Sequence, residues 1–410
     1  MKQLICLFEN NRYSNLHPLV YLRPVYDLLC GILTLREKAE LYFPNAQIIL
    51  HSRNYLEDLI KVLYPKNKIN QSNHDSITFI NGRLLINSKI AKIIAHMPNN
   101  HAFYNNDEII AVKTSKATYQ KINKNDILDF QNIDSSKEII DAKLLNYPWE
   151  LVNLNGEEIK SDFKNLVKKS KINFTSHKSV VIINKKSVFI NKGALIGAFT
   201  VLDASDGPIY IGKNVEIFPH VIIKGPVYIG DNTIVKSHTS IYQNTSIGKF
   251  CKVGGEIVNS IIHSYSNKQH EGFLGHSYLG SWVNIGAGTI NSNLKNNYGN
   301  IDVHLNGHLV NTESQFVGLI MGDHSKTAIN TMFNTGTVVG VSCNIFGPGF
   351  PPKYIPSFSW GGSDWLRTYN ISKCKEVAKL VMKRRGVELS AVEESLFDKI
   401  FELTKNERRN

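Results

Sequence analysis

The chain reads as an α/β domain, then a parallel β-helix of hexapeptide repeats, then a helical tail. Three observations predict this. Aliphatic residues recur every six positions at Ile211, Ile217, Ile223, Ile229, Val235, Ile241, Ile247 and Val253. Apolar strand-like runs alternate with helix-like runs before residue 170. Beyond Pro351, apolar residues recur at helical spacing.

A period of six fits neither the helix, at about 3.6, nor the strand, at about 2. It fits a coil of short straight runs and turns, with one aliphatic side chain per hexad in a narrow core. The fourth residue after each aliphatic is small or β-branched: Val215, Val221, Val227, Thr233, Thr239, Thr245, Cys251. Glycine often follows the aliphatic residue, as at Gly212, Gly230, Gly248 and Gly254, and serves the turn. The period begins at Ile190, Ile196 and Leu202 and slips across Ala204–Pro208. It returns at Leu279 and Ile285, and again at Met321, Thr327, Phe333, Val339 and Ile345. The reading is a solenoid over 180–350 with excursions at 256–273 and 291–315. Loops leaving a rigid solenoid are where binding groups sit.

In the N-terminal domain, 1–170, the expected order is strand Leu4–Phe8, helix Tyr26–Tyr42, strand Ala46–Leu50, helix Tyr55–Leu63 and strand Ser76–Ile80. This alternation argues for a mostly parallel sheet. The tail, 351–410, should be helical, with Val377, Leu380 and Val381, then Leu389, Val392, Leu396 and Ile400, on its apolar faces.

With 410 residues, 42% apolar and 20% charged, the chain can bury a core in two or three domains, which excludes a disordered tail protein. The five cysteines are scattered with no CxxC pair, which argues against a disulfide framework and a structural zinc site. No apolar run has membrane-span length and no leader pattern is present, so the expectation is a soluble cytoplasmic protein with no membrane partner. The net charge of +12 suits an anionic partner, but an AT-rich codon bias toward Lys, Asn and Ile explains it equally well. No dense basic block with interleaved aromatics appears, so nucleic acid is not an expected partner.

Several segments carry a family resemblance. They are Ser266–Gly280 (Ser-Asn-Lys-Gln-His-Glu-Gly-Phe-Leu-Gly-His-Ser-Tyr-Leu-Gly), Trp282–Thr289, Asn291–Tyr298, Gly322–Thr327 and Asn334–Gly340. In the N-terminal half they are Leu22–Leu28 and Gly31–Lys38. Together these resemble the bifunctional glucosamine-1-phosphate N-acetyltransferase / N-acetylglucosamine-1-phosphate uridylyltransferase family, GlmU, most closely its divergent Bacteroidetes-type variant. The resemblance implies a nucleotidyltransferase-like, Rossmann-like α/β domain, a left-handed β-helix and a homotrimer. It also implies acetyl-CoA and UTP as cosubstrates, Mg2+, and sugar phosphates and nucleotides as ligands.

Amide formation from an amino sugar and a thioester needs a base near neutral pKa, donors for an oxyanion and cations for phosphates. The resemblance makes His270 the base. It makes Asn284 and Asn293 the substrate and acetyl contacts, since amides donate and accept without titrating. Lys268 and Lys295 are candidate phosphate contacts, and His324, Gly336 and Thr337 are candidates to line the inter-subunit cleft beside acetyl-CoA, with Asp323 placed to orient His324. His276, one hexad after His270, reads as structural or secondary. Two departures stand out: Phe273 replaces the family's tyrosine three residues after the histidine, and Gly254 falls near its usual lysine.

The N-terminal half lacks the glycine-rich loop LxxGxGTRxxPxxxxPK, since Leu7–Arg12 contains no glycine to cradle a triphosphate. Arg23 and Lys38 are left to neutralise phosphates. Phe79–Arg83 contains no carboxylate for magnesium, and Glu150 is one possible ligand, so the metal site is unknown from sequence. The expected function is UDP-N-acetylglucosamine synthesis in two steps. The alternatives are a nucleotidyltransferase for another sugar 1-phosphate with a regulatory solenoid, and a non-catalytic trimeric sugar-nucleotide scaffold.

Overall fold

Runs of apolar and β-branched residues between polar turns make the N-terminal strands. Their order along the chain is β1 Leu4–Phe8, β2 Gln47–Leu50, β3 Lys68–Ile69, β4 Ser76–Asn81, β5 His101–Asn105, β6 Glu108–Ser115 and β7 Ser136–Ile139. The computed structural model describes residues 3–70, 76–115, 127–128, 130, 135–167 and 175–408. The chain divides into two compact units. One comprises Met1–Leu16, Leu22–Leu28 and Leu33–Tyr147; the other comprises His17–Tyr21, Leu29–Ile32 and Pro148–Asn410.

The first unit is one seven-stranded sheet in the order β3-β2-β1-β4-β6-β5-β7. β1 lies parallel to β2 and β4, whereas β6 runs antiparallel to both β4 and β5. The sheet is therefore mixed rather than mostly parallel. Its core includes Cys6, Phe8, Ile49, Ile77, Phe79 and Val112. The helix α1 spans Leu35–Tyr42, not Tyr26–Tyr42. Thr34 and Glu37 form a capping box that starts it. The helix does not reach back through Gly31, which holds φ +88, and before it Val25–Asp27 form only a single 3-10 turn. The apolar spacing of Leu28, Leu29 and Ile32 imitates a helix without forming one.

The second unit is a left-handed parallel β-helix whose strands stack into three parallel sheets. Face A starts at Val188–Ile190, face B at Thr175–Ser176 and face C at Val181–Ile183. The in-phase aliphatics point into the lumen, where Ile211, Ile223, Ile229, Val235, Ile241, Ile247 and Val253 are completely buried. Paired positions such as Ile234 and Lys252 lie eighteen residues apart, three hexads per coil.

Corners carry residues at positive φ. One corner runs Asn214, Asn232, Phe250, Tyr265, Trp282, His324. A non-glycine residue there costs about 1–2 kcal/mol. Stacking offsets part of that cost, with Phe250 and Tyr265 rings 4.9 Å apart and Tyr265 and Trp282 rings 4.3 Å apart.

The stretch 256–273 is not an excursion. Strands Glu256–Val258, Ile261–Ile262, Asn267–Lys268 and Phe273–Gly275 keep all three faces in register. The period breaks because corners shorten: Ser240 pairs with Glu256 across sixteen residues, through a clipped Gly254-Gly255 corner. A second reason is that Lys268 occupies an interior position, paired with Val253. The later excursion is real: strands Asp302–Leu305 and His308–Asn311 form an antiparallel hairpin.

Helix α2, Pro148–Leu166, packs on the coils, with Asn155 Nδ2 donating to Asn244 O at 2.8 Å. The last coil strand is Ser359–Gly361. Helices α3, Ile371–Lys383, and α4, Ala391–Leu403, follow. α3 buries Cys374, Ala378 and Met382 and leaves Leu380 exposed, one register away from the expected apolar face. No helix among the described residues is long and apolar enough to cross a membrane. Ile229→Ala is expected to lower unfolding free energy by about 2–5 kcal/mol, read by denaturant titration, because the narrow lumen cannot collapse around the void.

Candidate active site

The corner between faces C and A carries Asn244, Asn259 and His276 on successive coils, each at positive φ. Backbone bonds tie the rungs, from Asn259 N–H to Gln243 O at 3.0 Å and from His276 N–H to Val258 O at 3.1 Å. Asparagine is a common resident of this conformation. Asn244 Nδ2 donates to Asn259 Oδ1 at 2.7 Å. His276 breaks the asparagine ladder where the chain then leaves the solenoid.

His276 is half-buried at the centre of a small cluster of side chains. Its Nδ1 lies 2.8 Å from the Asn293 side-chain amide. Phe316 stacks on the ring at 4.9 Å and 23°. Burial pushes the imidazole pKa down to about 4, so the ring is neutral at physiological pH. Below it, Asn291 holds the Gly275 backbone, accepting from Gly275 N–H at 3.1 Å and donating to Gly275 O at 3.0 Å. A Cβ at Gly275 would stand 2.6 Å from Asn293 Nδ2 and 2.5 Å from Phe273 Cζ, so glycine there lets Asn293 reach the ring.

Of the site residues expected from sequence, Asn293 is the one that touches His276. His270 is exposed on the neighbouring corner, between faces B and C. Lys268 is buried in the lumen, with Nζ donating to Gly254 O and His270 O at 2.9 Å each. It is a strut across the clipped corner rather than a surface cation, and burial lowers its pKa to about 8. Asn284 lies on face B, where Asn267 Nδ2 donates to its Oδ1 at 3.3 Å. Lys295 Nζ donates to Asn300 O and lies 3.8 Å from Asp302 at the base of the hairpin.

The expected acetyl-CoA contacts are covered. His324 is 6% exposed, between the rings of Trp282 and Phe397. Asp323 accepts from Ser281 N–H at 2.6 Å. Gly336 packs beneath the hairpin, where a Cβ would stand 2.7 Å from Ile301. Thr337 is completely buried and donates to Asn334 O at 2.8 Å. Sequence reasoning missed His276 as the centre. Its signal was the phase of Asn244-Thr245, Asn259-Ser260 and His276-Ser277, a corner residue followed by a hydroxyl.

In the first unit, the carboxyl ends of β1, β2 and β4 converge, the usual ligand position of an open α/β sheet. Glu9 and Arg53 fill it as a fully buried ion pair at 3.0 Å. Arg53 is also sandwiched by the Tyr13 and Tyr55 rings. Arg83, two residues past β4, bonds Leu145 O at 3.0 Å and pairs with Glu108. Asp27 is held by Arg36 at 3.0 Å and Tyr64 at 2.9 Å. Arg23 and Lys38 are both buried. No group of three or more His, Cys, Asp or Glu side chains among the described residues could hold a metal. Glu150 sits in the first turn of α2, in the other unit.

Residues 5–171 match the sugar nucleotidyl transferase family and residues 208–243 match bacterial transferase hexapeptide repeats. A bifunctional protein GlmU of Rippkaea orientalis is 31% identical over 146 residues, 35% of this chain and 27% of that protein. The one from Synechococcus elongatus is 26% identical over 197 residues, 43% of this chain and 40% of that protein. The matched regions thus span less than half of these relatives. A solved UDP-N-acetylglucosamine acyltransferase of Francisella novicida aligns with 56% of this chain and 79% of its own, at 18% identity and a TM-score of 0.36.

Lys268 yields a pH test. Its charged form is disfavoured in the fold, so the unfolded chain binds more protons between about pH 8 and 10.5. Wild-type stability measured against pH should gain on the order of 1–3 kcal/mol across that window relative to Lys268→Met. Parallel curves would contradict the buried ammonium.

The chain joins a sugar nucleotidyl transferase domain to hexapeptide repeats, a pairing that resembles the bifunctional GlmU proteins over part of their length.

Proposed function

We propose that the chain makes UDP-N-acetylglucosamine in two transferase steps, with His276 rather than His270 as the base of acetyl transfer. The observation that carries this is the contact between the half-buried His276 ring and the Asn293 amide. As placed, Asn293 Nδ2 faces Nδ1; turned end for end, the amide presents Oδ1 instead. With Asn293 Oδ1 facing it, the imidazole keeps its proton on Nδ1 and leaves the Nε2 lone pair free. Burial keeps Nε2 unprotonated but makes it a weaker base than an exposed imidazole, so it takes the proton from the nitrogen of glucosamine 1-phosphate as attack on the thioester carbonyl leaves that nitrogen positively charged and acidic. The carbon–sulfur bond breaks and the departing thiolate of coenzyme A takes up the proton. Lys295, at the hairpin base, is the cation available for the sugar phosphate.

Asn284 lies on face B, away from His276, so a site using both needs a second copy. Exposed Val181, Ile183, Ile222 and Ile290 on face C suit such packing, which supports a homotrimer.

For uridylyl transfer from UTP, the family match of the N-terminal domain is the support. The residues there do not fit magnesium: Glu9, Asp27 and Glu108 are each held by an arginine. The same observation favours a second reading for that half alone, a domain that binds sugar nucleotide without turning it over.

The test is thiol release from acetyl-CoA with glucosamine 1-phosphate as acceptor. His276→Ala should lower kcat by about 10²–10⁴-fold, the usual contribution of a general base. His270→Ala should stay within a few-fold of wild type. The reverse ranking would return the base to His270, and no acceptor-dependent release by wild type would sink acetyl transfer.

A further inference from the structure

Face B carries cations that nothing above uses. Lys252 pairs with Asn267 across adjacent strands, and Arg385, just beyond the end of α3, donates to Asn267 Oδ1 at 2.5 Å. Parallel strands lie roughly 4.8 Å apart, so Lys252 and the Arg385 guanidinium are neighbours. Lys236 points out from the same face one coil earlier, its Nζ 4.6 Å from the Phe218 ring centroid. Arg384 is exposed beside Arg385.

No carboxylate forms an ion pair with any of these four among the described residues. Lys252 is lowered by desolvation and then by Arg385, Lys236 and Arg384, all cations. Arg385 is lowered by desolvation, and Arg384 acts in the same direction. The carbonyls at the end of α3 account for Arg384 and Arg385, because a helix C-terminus favours cations. They do not account for Lys236 and Lys252, which belong to the coils.

Like charges held together at a partly covered surface disfavour one another, and a bound anion relieves that repulsion. A single monoanion cannot reach cations spread over two coils and a helix end. A pyrophosphate-type group can, and arginine's fork suits its oxygens.

We propose that Lys236, Lys252, Arg384 and Arg385 form an anion site on face B that takes the diphosphate of a nucleotide-bearing ligand. Two sources share that chemistry: the diphosphate of coenzyme A, and a free nucleoside diphosphate. The site rests on the cations alone and stands even if acetyl transfer fails.

The experiment is calorimetric titration of the full-length protein with inorganic pyrophosphate. Wild type should bind with an affinity that falls as salt rises. Lys252→Gln and Arg384→Gln should each weaken binding about 3–10-fold, and the double variant more than tenfold. Both residues are at the surface, and circular dichroism with light scattering confirms that fold and assembly are kept. Competition then separates the sources: displacement by coenzyme A assigns the site to the acyl donor, and displacement by UDP alone assigns it to a free nucleotide. Equal affinity in wild type and the folded double variant would overturn the site, as would no binding by wild type at millimolar pyrophosphate.

Discussion

The lumen of the β-helix admits one side chain per strand of each coil, and the rest of the second unit follows from that constraint. Aliphatic residues such as Ile217, Ile229 and Ile241 fill it without leaving space for water. A polar group inside must be satisfied by the coil backbone, as Lys268 is by Gly254 O and His270 O, and Asn291 by the Gly275 peptide. Groups that meet a substrate must therefore stand on the corners or on the outward faces. His276 and Asn293 are at a corner, and Lys252 and Asn267 are on a face.

Much of the solenoid was legible because the constraint writes itself into the sequence as a period of six. The period misleads where a corner changes length. The clipped Gly254-Gly255 corner and the five-residue step from Leu274 to Leu279 shift the phase without breaking the strand register. A reader counting hexads sees an excursion there, although the backbone bonds never lapse. The same slip separates the two histidines: His270 stands on the corner between faces B and C, while His276 lies inside the short corner between Leu274 and Leu279.

The N-terminal unit was legible only in outline. Strand β1, strand β2, α1's last turns and strand β4 fall near their expected places, because apolar runs and a capping box are local signals. The pairing of β6 between β4 and β5 is a long-range outcome that no local pattern encodes. Nor does spacing reveal that Glu9 and Arg53, far apart in sequence, close into one buried ion pair at the strand ends. A buried pair of this kind is weak evidence for stability, but removing one partner would strand the other charge. That makes the pair a fixed feature of the crevice which any substrate there must accommodate.

The central claim is that His276 is a neutral imidazole held by Asn293 and sheltered by Phe316. The most direct measurement is an NMR titration of isotopically labelled histidine rings, assigning His276 by its loss in a His276→Gln variant. The His276 pKa should lie well below the ordinary histidine range in wild type, near 4. In Phe316→Ala it should rise toward about 6.5, as water reaches the ring. A His276 ring that titrates near 6.5 in both proteins would contradict it.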